Sequence, residues 1–131
     1  MGWGGDAAAS AAEATYRRFV DAFVMGRFDE ARELALEPVQ RIVGRKEQVR
    51  RQGEIPPEHG ETMIVSTTPQ AGAGAEAEAV KIHGVQVLQF SPKADGTESA
   101  PSFHRQFVTL VRRGEGWRVS EFRDEQEACC D

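Results

Sequence analysis

Phe103-His-Arg-Gln-Phe-Val-Thr-Leu-Val-Arg-Arg113, then Gly114-Glu-Gly116, then Trp117-Arg-Val-Ser-Glu-Phe-Arg123 is the stretch on which the fold class turns. Both flanking runs are rich in β-branched and aromatic residues, and the short link between them carries two glycines, a hairpin signal. So short a link cannot hold a parallel crossover, so the two strands run antiparallel. Working back from the hairpin, Ser91 to Pro101 is a loop with Pro92, an Asp95-Gly96 pair and Pro101. Glu76 to Phe90 is a long strand with Val80 and Ile82 on one face, and beyond Gly84 its apolar positions become Val85 and Val87. A glycine at such a change of phase predicts a β-bulge that bends the strand. Ala71-Gly-Ala-Gly74 reads as a hairpin tip, and Thr62 to Thr68, rich in β-branched residues, as the strand before it.

Upstream the period changes to that of a helix. Ala12, Tyr16, Phe19, Val20, Phe23 and Val24 recur at three- and four-residue spacing and share one helical face. Glu13, Arg17, Arg18 and Asp21 take the other side, with Glu13/Arg17 and Arg17/Asp21 spaced for i,i+4 pairs. Ser10 with Glu13 has the form of a capping box, and Gly26 is a stop. A second helix runs from about Asp29 to Leu36, and Pro38 ends it. The alternation over residues 38–44 predicts a short strand, and Arg45 to Gln52 one or two exposed helical turns. Gly53, Pro56, Pro57 and Gly60 mark a loop. Helices first and antiparallel strands after give an α+β domain.

The 131 residues suit one domain, with 40% apolar and 28% charged residues, as expected of a folded chain that needs no disulfide or metal staple. A net charge of −5 argues against a general binder of nucleic acid or anionic membrane. No apolar run approaches the roughly 20 residues of a membrane span. Met1 to Ser10 is Gly/Ala-rich without a signal-peptide pattern, so the chain as it stands is expected in the cytoplasm, or exported if a leader has been removed. Cys129 and Cys130 are adjacent, cannot tie distant segments together and are too few for a zinc site. No cofactor and no metal are expected.

Tyr16-Arg-Arg-Phe-Val-Asp-Ala-Phe23 followed by Gly26-Arg-Phe-Asp-Glu30 resembles the opening helices of the NTF2-like (cystatin-like) superfamily. Gly44-Arg-Lys-Glu-Gln-Val49 resembles a helix start in that family, and Gly114-Glu-Gly-Trp-Arg-Val119 its closing hairpin. The resemblance covers about Ala11 to Asp124 and rests mainly on the order of elements. It divides the chain into a flexible segment over 1–10, the domain over 11–124, and a flexible acidic tail over 125–131 carrying the two cysteines. It implies N-terminal helices packed on a strongly bent antiparallel sheet, a cone with a pocket at its wide end. Members include isomerases, dehydratases and cyclases as well as binding and partner domains, so the fold does not decide the function.

An acid–base enzyme of this shape would need an ionisable group in a partly desolvated pocket. The catalytic candidates are His104 and Tyr16. His104 shares a strand face with Gln106, Val108 and Leu110: it faces the cone if Val108 and Leu110 do, and faces out or lies at a dimer interface if Phe103 and Phe107 do instead. Tyr16 lies on the apolar face of its helix, but a phenol alone is a poor base near neutral pH. His83, opposite Val80 and Ile82, is expected to face solvent rather than a pocket, and Asp21 to lie on the polar side of its helix. Glu76 and Glu78 share a strand face and form a possible carboxylate pair. No metal-ligand cluster, Ser-His-Asp set or phosphate loop can be assembled from spacing alone. The basic run Arg41, Arg45, Lys46, Arg50 and Arg51 reads as a solvated helix face or a grip for an acidic group. The expected function is therefore a pocket that binds a small apolar ligand or a protein partner, with Tyr16, Phe19, Phe23, Val108 and Leu110 as ligand-binding residues. The alternative is a small isomerase- or dehydratase-type enzyme. A one-layer sheet leaves one face uncovered, so a homodimer through that face is also expected.

Overall fold

The computed structural model describes residues 3–71, 77–114 and 116–127. Three helices, α1 (Trp3–Met25), α2 (Phe28–Glu33) and α3 (Glu37–Arg51), precede four strands, β1 (His59–Ala71), β2 (Ala77–Gln89), β3 (Ser102–Arg113) and β4 (Gly116–Glu127). The strands form an antiparallel meander in the order β1-β2-β3-β4. The helices pack on one side of it. Tyr16, Phe19, Val20 and Phe23 of α1 are buried against Val80, Ile82, Val108, Leu110, Val119 and Phe122 of the sheet. Phe19, Phe23 and Phe122 meet with ring centroids 5.2–5.8 Å apart. The link between α2 and α3 is pinned to β4 by Leu36 N–H to the Val119 carbonyl and Val119 N–H to the Leu34 carbonyl, 2.9 and 2.8 Å.

Several local expectations are corrected. Helix α1 begins at Trp3 and not at Ser10; the alanines around Ser10 favour helix strongly enough to carry it upstream. Glu13 accepts a bond from Thr67 Oγ1, Arg17 donates to the Thr62 carbonyl, and Asp21 pairs with Arg27. These contacts replace the expected i,i+4 pairs, and the first two tie α1 to β1. Residues 38–44 are helical. Pro38 sits in the first turn of α3, where its missing N–H costs nothing. Val39 and Val43, spaced for a strand, are equally spaced i,i+4 for a helix and are both buried. Gly44 consequently lies inside α3 rather than at its start. Residues 125–127 extend β4, pairing Phe103 with Glu127, rather than beginning a tail.

The bulge also moves. Strand β2 pairs with β3 without interruption from Ala79 to Leu88, and the irregularity lies in β1 between Ile64 and Ser66. Val80, Ile82, Gly84, Gln86 and Leu88 all face inward, so Val85 and Val87 lie on the outer face. Gly84 is a glycine because Tyr16 occupies the place of its side chain: a Cβ there would stand 2.1 Å from the Tyr16 hydroxyl. The proposed hairpin tip at 72–74, Glu76, Cys129 and Cys130 lie outside the described residues, and the side chain of Glu78 is likewise not described.

Candidate functional site

The interior of the cone is filled. Tyr16, Phe19, Val108 and Leu110 are at most 2% exposed and pack into one another. The Tyr16 hydroxyl donates to Gln106 Oε1 at 2.7 Å, Gln106 Nε2 to Gln86 Oε1 at 3.0 Å, and Gln86 Nε2 to Thr62 Oγ1 at 3.4 Å. Burial pushes the Tyr16 phenol well above its ordinary pKa, so it stays a neutral donor.

Open space begins where that packing ends. A cavity of about 770 Å³ lies between α3, the loop after it, the end of β2 and the start of β3. Val24, Ile55, Pro57, Leu88 and Phe90 supply an apolar wall, and Lys46, Arg50, Glu54, Ser102, His104 and Gln126 the polar one. An adjoining hollow of about 340 Å³ shares Lys46, His104 and Gln126 and adds Phe23, Arg45 and Asp124. His104 therefore faces this mouth, and of the five residues expected to bind ligand Phe23 is the one that reaches it.

The side chains of the mouth are held in place. His104 Nδ1 lies 2.9 Å from Asp124 Oδ1 and its Nε2 2.6 Å from Ser102 Oγ, which also accepts from Gln126 Nε2 at 3.2 Å. Lys46 and Arg50 both bond Glu54, at 2.8 and 3.0 Å, and Arg50 reaches back to the Val24 carbonyl at 2.8 Å. Burial alone would raise the Glu54 carboxyl, but the bonds from Lys46 and Arg50 outweigh it and hold its pKa below the usual range. Most of the basic run of α3 is thus ion-paired: Arg41 with Glu37, and Arg51 with Glu47. Tyr16 and His104 do not act on one point, since the phenol spends its proton on Gln106. Asp21 is exposed and paired with Arg27, and it lines neither hollow of the mouth. Ser102 and Asp124 were missed by sequence reading; the one available signal was the Ser-x-His spacing at the start of β3, which puts both residues on one strand face.

The outer sheet face carries a different cluster. His83 stacks on Phe107 at 4.6 Å and 9°, and the Arg123 guanidinium carbon lies 4.5 Å from the centroid of the same Phe107 ring, beside a hollow of about 440 Å³. His83 Nε2 is buried with no hydrogen-bond partner. Among the described residues there is no group of three or more His, Cys, Asp or Glu side chains able to hold a metal ion. No helix among them is long and apolar enough to cross a membrane.

No protein-family model matches the chain, and no curated protein matches it. Solved structures do share its fold. An uncharacterised protein with a cystatin-like fold from Caulobacter vibrioides is 11% identical, with a TM-score of 0.58 over 92% of this chain and 89% of that one. Bd1075 of Bdellovibrio bacteriovorus is 6% identical, with a TM-score of 0.57 over 90% of this chain and 40% of that one. The chain has a cystatin-like α+β fold, three helices packed on a four-stranded antiparallel sheet, and at these identities the likeness is one of fold alone.

Proposed function

We propose that this is a pocket domain that binds, at the mouth of the cone, a small ligand with an apolar body and a polar or anionic end. The observation that carries the reading is the two-sided lining of the 770 Å³ cavity, apolar across Leu88, Phe90 and Pro57 and polar across Lys46, His104 and Gln126. Ligand sites combine an apolar wall with a few fixed polar groups in this way. The core below leaves no room deeper in the cone, so the ligand lies at the rim, and binding requires no chemistry. Titration with anilinonaphthalene sulfonate, an aromatic anion, should give saturable fluorescence and amide shifts around the mouth. Phe90→Asp should weaken it about tenfold, roughly 1.4 kcal/mol. Shifts confined to the outer sheet face, or an unchanged affinity in the variant, would rule the reading out.

A partner reading has its own support. Met63 and Val65 are each 58% exposed, and Phe103 stands with Val85, Val87 and Phe107 on the uncovered face. A second copy of the chain covering that face would bury them. Light scattering at tens of micromolar should give a dimer mass, and Met63→Lys with Phe103→Lys a monomer; a monomeric parent chain would end this reading.

A further inference from the structure

Ser102 and His104 are two apart on β3 and so project from the same face. Asp124 is on β4, where the register sets Gln126 opposite His104 and Asp124 opposite Gln106. Asp124 is therefore the diagonal neighbour of His104, a separation that long side chains bridge. With the imidazole neutral, the resulting line, Ser102 Oγ to His104 Nε2 at 2.6 Å and His104 Nδ1 to Asp124 Oδ1 at 2.9 Å, has one consistent proton assignment. An ionised carboxylate only accepts, so Nδ1 carries the imidazole proton and Nε2 is bare. Gln126 Nε2 can only donate to Ser102 Oγ, so the serine hydroxyl is free to turn its own proton toward Nε2. Every bond then points the way a proton would move from Ser102 to His104. The His104 and Asp124 side chains are 15% and 24% exposed, sheltered yet on the cavity wall.

We propose that Ser102 is an acyl-accepting nucleophile served by His104 as base and Asp124 as its positioning residue, and that the ligand of the mouth is a small carboxylic ester. The proposal rests on the mouth being the ligand site. Roles and geometry, rather than position in the chain, define such a set. The ester's apolar acyl group lies on the Leu88 and Phe90 wall. Ser102 Oγ bonds to the carbonyl carbon while its proton passes to His104 Nε2, and the new imidazolium faces Asp124. Gln126 Nε2, already 3.2 Å from Oγ, turns its N–H to the oxygen on which charge develops. The carbon–oxygen bond to the alcohol breaks, and the alcohol leaves with the proton from His104. Water then attacks the acylated Ser102, its proton passing by the same route, and releases the acid with Ser102 restored. The sum is ester plus water to acid plus alcohol, with no redox partner or cofactor.

The test treats the full chain with an alkyl fluorophosphonate, in which the Oγ–P bond forms as fluoride leaves. One equivalent should add, and fragment-ion mapping should place it on Ser102 of the unmodified sequence, so the result does not depend on any variant folding. Ser102→Ala should take up none. Asp124→Asn should label at least ~100-fold more slowly at saturating probe, with the half-saturating concentration within about twofold. A purely structural aspartate would instead change the melting temperature and the probe affinity together. An adduct elsewhere, no adduct, or equal rates in Asp124→Asn overturns the nucleophile. If anilinonaphthalene sulfonate still binds at the mouth in that event, the binding reading stands alone; if it does not, both fall.

Discussion

Two hydrogen-bonded lines of side chains start two residues apart on the inward face of β3, and their surroundings are opposite. From Gln106 the line runs to Tyr16 and Gln86 within a sealed core, where both glutamines are at most 1% exposed. From His104 it runs to Ser102 and Asp124 along the wall of an open cavity. Inside, each polar group is matched to a neutral partner, since an unmatched one would cost about 1–3 kcal/mol. At the mouth, the groups are ionisable and lie beside space that a ligand can fill. The same strand face therefore holds a structural network and a chemical one, and burial divides them.

Three substitutions press on that division. The largest effect is expected from Phe19→Ala, which empties the point where Phe23 and Phe122 converge. Truncating a buried aromatic costs about 3–5 kcal/mol, and chemical denaturation should register it; a change within error would mean that α1 does not seal the interior. Next is Gly84→Ala, whose Cβ would meet the Tyr16 hydroxyl at 2.1 Å and its ring at 2.8 and 3.0 Å. Neither the ring nor the β2 backbone can yield far, so a loss of about 1–3 kcal/mol follows. Tyr16→Phe alone leaves Gln106 Oε1 without its donor and costs about 1 kcal/mol. Combined with Gly84→Ala it removes the clashing oxygen, so the double variant should lose less than the sum of the two. Strict additivity would show that the hydroxyl does not occupy the place of the missing side chain.

The fold was legible because periodicity carries it: the six-residue apolar stripe of α1 and the Gly114-Glu-Gly116 hairpin each admit one element type. Elements failed where one spacing suits two periods, as Val39 and Val43 do, or where a glycine has a remote cause, as Gly84 has in Tyr16. The direction of His104 was left open by the sequence, because either Val108 and Leu110 or Phe103 and Phe107 could have formed the inward set; burial of Val108 and Leu110 decides it. Asp124 and Ser102 did not follow either, because β3–β4 register is set by pairing along both strands and by the irregularity between Thr109 and Leu110. Nor did Glu54, which stands in the loop after α3 and neutralises much of a basic run that the sequence presents as nearly unopposed. Packing repeats along a chain and can be counted there, whereas a site joins residues from separate elements at one place.

The smallest expected effect separates the mouth from the interior by pH. Glu54, Lys46 and Arg50 are each less than a third exposed, and the two cations hold the Glu54 carboxyl below its usual pKa. A carboxyl whose pKa is lower in the folded chain contributes stability that is complete above the unfolded value, about 4.3. That contribution is lost as pH falls through the lower folded value. Partial exposure limits it to about 1 kcal/mol or less. Melting temperatures of the parent chain and Glu54→Gln should therefore differ above about pH 5 and converge as the pH is lowered below it. The interior line predicts the contrary for Tyr16→Phe: its phenol is uncharged throughout this range, so its melting curve should run parallel to that of the parent from pH 3 to 8. Parallel curves for Glu54→Gln would mean that the mouth owes nothing to this pair of ion bonds. A pH-dependent gap for Tyr16→Phe would mean that the interior is not sealed from charge.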